Sequence, residues 1–194
     1  MTIIVALLDS DGVIHMGGDS SASNDTDAID ICGNEKIFHS YSFMYGICGS
    51  FRVMNVIRYI FDPPAFTWYD NDAPVEYMVK CFVPMLIKVL RSNKTLEKDN
   101  NVVSMDATMI VGFQGNLFIV DSDFQVRQLP PENFFAIGSG AEAAKGSLYT
   151  SYYNSTDAYE SVEYALEASM EFSKSVKAPL KYITSQNKIE HVFS

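Results

Sequence analysis

The order in which strand-like and helix-like segments follow one another constrains the fold of this chain most. Apolar runs typical of β-strands occur in groups at the start, in the middle and at the end of the sequence, and two helical patterns separate each group from the next. Strands in runs beside helices in runs indicate a layered α+β sandwich rather than alternating βαβ units. For a chain of 194 residues we expect one domain that spans residues 1–194.

The segments themselves follow from residue type and turn signals. Strands rich in bulky, β-favouring residues are predicted at 3–8, 13–18, 36–39, 43–48, 107–113, 117–121, 124–128, 134–138, 182–184 and 189–192. Helices are predicted from Phe51 to about Ile60, from Pro74 to Leu90 with a kink at Pro84, from Gly138-Ser139-Gly140 to about Tyr152, and from a cap at Thr156 or Asp157 to Phe172. Residues 20–34, 62–73 and the charged stretch Lys94 to Ser104 are predicted to be loops.

Composition argues against several classes of function. The formal net charge of −10 disfavours a nucleic-acid partner, because binding to a phosphate backbone needs a basic patch. The cysteines Cys32, Cys48 and Cys81 are odd in number and lack CxxC spacing, so neither a disulfide framework nor a zinc site is expected, and a reducing, cytoplasmic location is favoured. The first apolar run has no basic leader and no run approaches the length of a membrane span, so no membrane partner is expected either.

The segment from Val5 to Val13 supports one interpretation of the N-terminus. Its Asp9-Ser10-Asp11-Gly12 run resembles the opening motif of haloacid-dehalogenase-type phosphatases, in which the first Asp attacks phosphorus and the second acts as acid/base, with magnesium. That family needs strand–helix alternation around a parallel sheet and a late acidic pair, and no strand after residue 100 ends in such a pair. Asp-Gly is also a strong turn signal, so a polar hairpin turn explains the same residues.

A second interpretation rests on motifs spread over nearly the whole chain. They are, in order, Thr2 followed by an apolar strand, Gly17-Gly18-Asp19 after a second strand, Lys36-Ile37 after a small polar loop, Ile47-Cys48-Gly49-Ser50 before a helix, and Phe135 to Ala141 running into another helix. In this order they resemble the proteasome β-type subunits and, in size, the bacterial HslV peptidase, which are N-terminal-nucleophile hydrolases. The resemblance implies a four-layer αββα sandwich and a threonine-type endopeptidase.

The resemblance also assigns the chemistry. Removal of Met1 would give Thr2 a free α-amine beside its hydroxyl, and an α-amine with a pKa of roughly 7.7–8.0 can act as a base near neutral pH. Lys36, held charged by Asp19, would lower the pKa of that amine, and the Gly49 N–H would bind the oxyanion. Ser139 would orient the amine. Near the end of the fourth helix the family has Asp or Gly followed three residues later by Ser or Cys, and here Ser173 fits the second position while Met170 departs from the first.

Substrates and partners follow from the same resemblance. A polypeptide strand would pair with backbone at Ser21, Ala22 and Ser23 and at Gly49, and a pocket shaped by Ile47, Ala22 and Val53 would favour an apolar residue before the cut. No cofactor or metal is implied. The implied assembly is a homo-oligomeric ring, in two stacked rings, with an ATP-dependent unfoldase as a potential partner. Met170, and Ile3 in place of the family's second Thr, leave open a catalytically inactive ring-forming scaffold or binding protein.

Overall fold

The computed structural model describes residues 2–22, 30–31, 35–66, 74–99, 102–186 and 191–193. The strands are β1 (Ile3–Leu8), β2 (Ile14–Asp19), β3 (Ser21–Ala22), β4 (Asp30–Ile31), β5 (Ile37–Ser40), β6 (Phe43–Gly49), β7 (Leu96–Asp99), β8 (Val102–Met105), β9 (Ala107–Phe113), β10 (Asn116–Val120), β11 (Val126–Gln128), β12 (Phe134–Gly138), β13 (Leu180–Thr184) and β14 (His191–Phe193). The helices are α1 (Phe51–Tyr59), α2 (Pro74–Tyr77), α3 (Val83–Ser92), α4 (Ala141–Tyr153) and α5 (Ala158–Phe172).

Two five-stranded antiparallel sheets form the centre of the molecule. The first has the strand order β12-β1-β2-β13-β14, and the second has the order β11-β10-β9-β6-β5. Two-stranded pairs, β3 with β4 and β7 with β8, accompany them. The predicted N-terminal hairpin is confirmed: β1 pairs with β2 from Ile4 opposite Gly18 to Leu8 opposite Ile14.

The core is layered, and β1 shows why. All six of its residues are buried. Because successive side chains of a strand point to opposite faces, Ile3, Val5 and Leu7 pack with α4 and α5, while Ile4, Ala6 and Leu8 pack against the second sheet. A third cluster lies between the second sheet and the helices α1 to α3. The order of layers is helix, sheet, sheet, helix, which confirms the predicted αββα sandwich.

The helix that begins at Pro74 changes its geometry before Pro84. Residues Met78–Phe82, between α2 and α3, form a π turn, and the N–H of Val83 donates to the carbonyl of Met78. A proline inside a helix cannot donate to the preceding turn and crowds it, so a local widening next to Pro84 fits the residue. The predicted irregularity therefore takes the form of a π turn.

The expectation of a charged loop from Lys94 to Ser104 is wrong. The hairpin β7–β8 occupies this stretch, with Leu96 opposite Met105 and Asp99 opposite Val102. Leu96 and Val103 pack against the core cluster below α1 to α3, and Met105 is buried. Burial of these apolar residues outweighs the local charge that suggested a loop.

Smaller differences between prediction and structure concern a turn, the start of one strand and a short strand pair within a predicted loop. The turn between β9 and β10 is at Gln114-Gly115, both with positive φ, one residue earlier than predicted. β11 begins at Val126 rather than at residue 124, because Phe124 has a φ of +68° and lies in a turn. Within the predicted loop 20–34, Ser21–Ala22 pairs with Asp30–Ile31. Residues 23–29 and 32–34, which include Ser23, lie outside the described residues.

Candidate active site

The candidate residues are brought to one end of the sandwich by strand register. Thr2 precedes β1, whose Ile3 lies opposite Gly138 at the end of β12. Asp19 ends β2 and lies opposite Leu180 of β13. In the second sheet, the N–H of Ile47 donates to the carbonyl of Lys36 (2.9 Å), which sets the start of β5 beside the end of β6.

A buried ion pair joins the two sheets at this end. Lys36 Nζ lies 2.9 Å from Asp19 Oδ1 and 3.1 Å from Oδ2. The side chains of Lys36 and Asp19 are 1% and 0% exposed. A buried ammonium needs such a partner to remain charged, so the carboxylate holds a cation in place inside the sandwich.

Asp19 also organises the backbone around Thr2. Its Oδ1 accepts from the N–H of Ile3 (2.9 Å), the residue next to Thr2. Its Oδ2 accepts from the N–H (3.3 Å) and the hydroxyl of Ser21. Thr2 itself is buried. The lysine ammonium and the Ile3 N–H, which directly follows Thr2, therefore share one carboxylate, which fixes their relative positions.

Gly138 and Gly49 are required by close backbone contacts. Gly138 has a φ of +105°, and a Cβ there would lie 2.0 Å from the carbonyl oxygen of Thr2. Gly49 has a φ of +116°, and a Cβ there would lie 2.4 Å from the carbonyl oxygen of Asp106. L-residues avoid such φ values, so both positions call for glycine. The predicted glycine at the end of β6 thus has a structural reason in addition to its proposed role with the oxyanion.

A chain of serine hydroxyls extends from Thr2, and sequence reasoning missed its central member. Ser139 Oγ donates to the Thr2 carbonyl (3.4 Å) and lies 3.0 Å from Ser175 Oγ, which lies 3.1 Å from Ser173 Oγ. Ser175 is buried, and its carbonyl lies 3.2 Å from Ser21 Oγ. Ser21 has one hydroxyl proton, so the Asp19 carboxylate and the Ser175 carbonyl share it. Ser175 therefore links Ser139 to the Asp19 side of the site.

Ser173, the serine predicted for the site, lies two residues before Ser175, which makes the contact with Ser139. Ser173 follows α5, and among the described residues it is connected to Ser139 through Ser175. Met170 packs against the cluster of α4 and α5. The residue three before Ser175 is Phe172, whose side chain is 80% exposed. Counted from Ser175, the position where the family has Asp or Gly is a phenylalanine, so the hydroxyl chain has no carboxylate at that point.

The predicted substrate-binding residues lie in different surroundings. Ser21 is fully buried and bonded to Asp19, and Ala22 lies beside it in β3. Ile47 is also fully buried, in the cluster below α1 to α3. It could form the floor of a pocket but not an open wall. Val53 on α1 is in the same cluster.

Cys48 lies beside the ion pair but has no activated thiol. Burial raises the pKa of its thiol, and the nearby Lys36 ammonium offsets this only in part. A raised pKa keeps the thiol protonated near neutral pH, and the thiolate is the nucleophilic form. Among the described residues, no group of three or more His, Cys, Asp and Glu side chains could hold a metal ion.

The Asp9-Ser10-Asp11-Gly12 run forms the turn between β1 and β2. Asp9 Oδ1 accepts from the N–H groups of Asp11 (3.0 Å) and Val13 (2.8 Å), and its Oδ2 lies 2.9 Å from His15 Nε2. Both main sheets are antiparallel, whereas the phosphatase interpretation requires a parallel sheet with alternating helices. That interpretation is wrong, because the motif is a hydrogen-bonded hairpin turn at the other end of β1 from Thr2.

Comparison with solved structures finds close likeness in fold. BPH of Thiobacillus denitrificans, solved in complex with epoxomicin, superposes with a TM-score of 0.73 at 20% identity, over 93% of this chain and 97% of that one. Eukaryotic HslV of Trypanosoma brucei gives 0.64 at 15% identity over 94% and 98%. Anbu of Pseudomonas aeruginosa, described as a helical assembly, gives 0.64 at 14% identity over 94% and 80%.

Comparison by sequence, unlike comparison by structure, finds no similar protein. No protein-family model matches the chain, and no curated protein matches it. Among the helices in the described part of the chain, none is long and apolar enough to cross a membrane. The likeness therefore comes from the arrangement of layers and strands, over 80% to 98% of the length of each neighbour. On that ground, the chain has the αββα fold of the proteasome-like N-terminal-nucleophile hydrolases to which HslV, Anbu and BPH belong.

Proposed function

We propose that the chain is a threonine-type endopeptidase that hydrolyses peptide bonds with Thr2 as nucleophile once Met1 has been removed. The observation that supports this most is the fully buried Lys36–Asp19 pair, whose carboxylate also binds the backbone N–H of Ile3. A buried ion pair is costly to desolvate and is weak evidence for stability alone. Its position beside Thr2 gives it a use in catalysis.

The proposed reaction is acyl transfer. Thr2 Oγ attacks the peptide carbonyl while the free α-amine takes its proton, and the Gly49 N–H stabilises the oxyanion. The amine then passes the proton to the leaving nitrogen, the C–N bond breaks, and an ester to Thr2 remains. Water, deprotonated by the same amine, then attacks the ester carbonyl, and the C–Oγ bond breaks as the amine returns the proton to Thr2 Oγ. The Lys36 ammonium disfavours a second positive charge nearby and so keeps the amine unprotonated and able to act as a base.

Oligomeric assembly is part of the proposal. The solved Anbu neighbour is described as a helical assembly, which supports an oligomer for a chain of the same fold. We propose a homo-oligomeric ring, in two stacked rings around the active sites, that admits polypeptides and works in the cytoplasm with an ATP-dependent unfoldase. An interior chamber would restrict cleavage to unfolded chains. Light scattering of the purified protein measures the number of subunits directly.

A second candidate is a catalytically inactive scaffold with the same fold. The observation that favours it is Phe172 at the place of the family's acid or glycine, so that this position supplies no carboxylate to the hydroxyls of Ser139, Ser173 and Ser175. In this case the Lys36–Asp19 pair would serve only to align the two sheets. The two candidates differ in whether Thr2 reacts.

The test combines mass and a covalent probe. Intact mass shows whether Met1 has been removed, and an epoxyketone such as epoxomicin reacts with both the hydroxyl and the amine of an N-terminal threonine. We expect one adduct per subunit on Thr2, inhibition of peptide hydrolysis in proportion to labelling, and neither labelling nor hydrolysis in Thr2→Ala. Complete retention of Met1, or a free Thr2 that forms no adduct and cleaves no peptide, would establish the scaffold instead.

A further inference from the structure

Glu35 makes an unusual set of contacts immediately before Lys36. Its Oε2 lies 2.8 Å from Arg58 NH2, and its Oε1 binds the ammonium of Lys181. The backbone carbonyl of Glu35 accepts a second bond from Arg58 NH1 (2.9 Å). Arg58 in turn lies 4.7 Å above the ring of Phe38 in β5. Both the side chain and the main chain of Glu35 are thus held.

These contacts join three layers of the molecule. Arg58 belongs to α1, Glu35 precedes β5 of the second sheet, and Lys181 belongs to β13 of the first sheet. Lys181 lies opposite Gly18, next to Asp19 on β2. The cluster of Glu35, Arg58 and Lys181 therefore connects the segment that carries Lys36 to the strand beside the one that carries Asp19.

The side chains of the cluster are buried enough for their ion pairs to be only partly screened by solvent. The side chains of Arg58 and Glu35 are 20% and 18% exposed, and that of Lys181 is 19% exposed. Ion pairs at this depth are screened less by solvent than fully exposed pairs. A carboxylate that bridges two cations also fixes their geometry more firmly than a single pair does.

We propose that Glu35, held between Arg58 and Lys181, is a positioning residue that fixes the Lys36 ammonium against Asp19. The catalytic consequence rests on the function proposed above, whereas the structural one does not. On its C-terminal side, Lys36 is fixed by β5, beginning with the Ile47 N–H bond to its carbonyl. On its N-terminal side, the Glu35 cluster supplies the fixed point.

The first experiment needs no catalytic activity. In the purified full chain, the rate of Lys36 acylation by acetic anhydride is measured by mass spectrometry relative to the exposed Lys177. In Glu35→Gln and Lys181→Met we expect this ratio to rise about tenfold. This corresponds to a fall of about 1.4 kcal/mol in the free energy of the local opening that exposes Lys36. Lys181→Arg keeps the cation and should leave the ratio near that of the native chain. An unchanged ratio in Glu35→Gln and Lys181→Met would overturn the proposal.

A control separates this effect from the loss of any ion pair. Arg127 and Asp121 form a pair at 2.9 Å near the surface, with side chains 44% and 29% exposed. Asp121→Asn removes one negative charge, as Glu35→Gln does, and should leave Lys36 protected. A rise in Lys36 acylation in Asp121→Asn equal to that in Glu35→Gln would show a general loosening and would count against Glu35.

The second experiment uses the pH dependence of the reaction. Among the described residues, the charged and titratable groups near Lys36 include Asp19 from β2 and Cys48 from β6, with Asp106 before β9 near Cys48. If Glu35 acted only as a charge, Glu35→Gln and Lys181→Met would move the acid limb of the pH–rate profile in opposite directions. Loss of positioning moves it to higher pH in both variants, with a fall in kcat and little change in KM.

The outcomes distinguish the two proposals. A chain without epoxyketone labelling whose Lys36 becomes acylated in Glu35→Gln refutes the peptidase but supports the positioning role. A reactive native chain in which Glu35→Gln changes neither Lys36 acylation nor the pH profile refutes the positioning role alone. Opposite shifts of the acid limb in Glu35→Gln and Lys181→Met would also refute it.

Discussion

At the scale of single residues, the site depends on backbone contacts that leave no room for a Cβ atom. Gly138 brings the end of β12 against the carbonyl of Thr2, and this carbonyl also accepts from Ser139 Oγ. Asp19 gathers Lys36, Ile3 and Ser21 around one carboxylate. The position of Thr2 is thus set through its carbonyl and through the N–H of Ile3 that follows it.

Gly138→Ala should disturb Thr2 directly. The new Cβ would lie 2.0 Å from the Thr2 carbonyl oxygen at a φ of +105°, so the backbone must shift. We expect a loss of about 1–3 kcal/mol in the free energy of unfolding and a strong loss of Thr2 labelling. Gly146→Ala on α4, where a Cβ meets nothing within 4 Å, is the matched control. It should stabilise by up to about 1 kcal/mol, because alanine favours a helix.

Asp19→Asn should be among the most destabilising single changes of a charged residue. It removes the carboxylate that lies 2.9 Å from the ammonium of the 1% exposed Lys36. Removal of one partner from a buried pair costs about 3–5 kcal/mol, which urea unfolding at neutral pH would measure. Asp121→Asn at the surface should cost no more than about 0.5 kcal/mol. Equal midpoints for these two variants would contradict a buried charge at position 36.

At the residue scale, the order of motifs along the sequence led to five candidate site residues, whose catalytic roles stay predictions. Thr2, Asp19, Lys36, Gly49 and Ser139 were identified in this way, and the structure brings them to one end of the sandwich. Ser175 was missed, because its contact with Ser139 depends on the turn after α5. Counting residues along a helix pattern cannot reveal how a chain leaves that helix.

At the scale of elements, the β1–β2 hairpin shows how a turn can resemble a catalytic motif. Asp9 accepts two backbone N–H groups across the turn and contacts His15 in β2. His15 Nδ1 reaches Tyr182 of β13 at 2.5 Å, so the turn is connected to a third strand. The acidic residues that suggested phosphoryl chemistry stabilise the hairpin.

This hairpin should contribute a pH-dependent part of the stability. Burial acts to raise the pKa of Asp9, but hydrogen bonds from His15 and from the Val13 and Asp11 N–H groups outweigh it, so the pKa lies below its ordinary value. A lowered pKa stabilises the fold above the unfolded value of about 3.9 and loses this effect as the pH falls through the folded value. The difference in melting temperature between the native chain and Asp9→Asn should therefore be largest near neutral pH and shrink below about pH 4. A difference that grows in acid would contradict this assignment.

Element prediction failed where two signals disagreed. The stretch from Lys94 to Ser104 carries charges that favour a loop, yet Leu96 and Val103 reach the core as strand residues. The pairing of β7 with β8 depends on packing against a cluster formed by distant parts of the chain. Local sequence contains the alternation but does not reveal the surface that stabilises it.

At the scale of the whole molecule, the two sheets approach closely because large residues of one face glycines of the other. A Cβ at Gly46 in β6 would lie 2.4 Å from Ile4 Cγ2 and 2.9 Å from Met16 Sδ. A Cβ at Gly112 in β9 would lie 2.9 Å from Ile14 Cδ1. The order of elements predicted the layers, whereas this interlocking of side chains with glycines requires the strand register.

Gly46→Ala should therefore force the sheets apart locally. Overpacking of this kind costs about 1–3 kcal/mol. Ile4→Ala removes the atom that the new methyl group would meet, so the double variant should lose less stability than the sum of the two single variants. Chemical denaturation of all four proteins gives the coupling energy. Strict additivity would show that Gly46 and Ile4 do not share the same space.

The pair Lys36–Asp19 spans the gap between the sheets, with its carboxylate at the end of β2 in the first sheet and its ammonium just before β5 of the second. Under the proposed chemistry, the nucleophile is on the first sheet and the oxyanion donor on the second. The reaction rate then depends on the distance between the two sheets, because this distance separates the nucleophile from the oxyanion donor. A variant that dilates the sandwich by a fraction of an ångström, such as Gly46→Ala, should reduce turnover at temperatures far below its melting point.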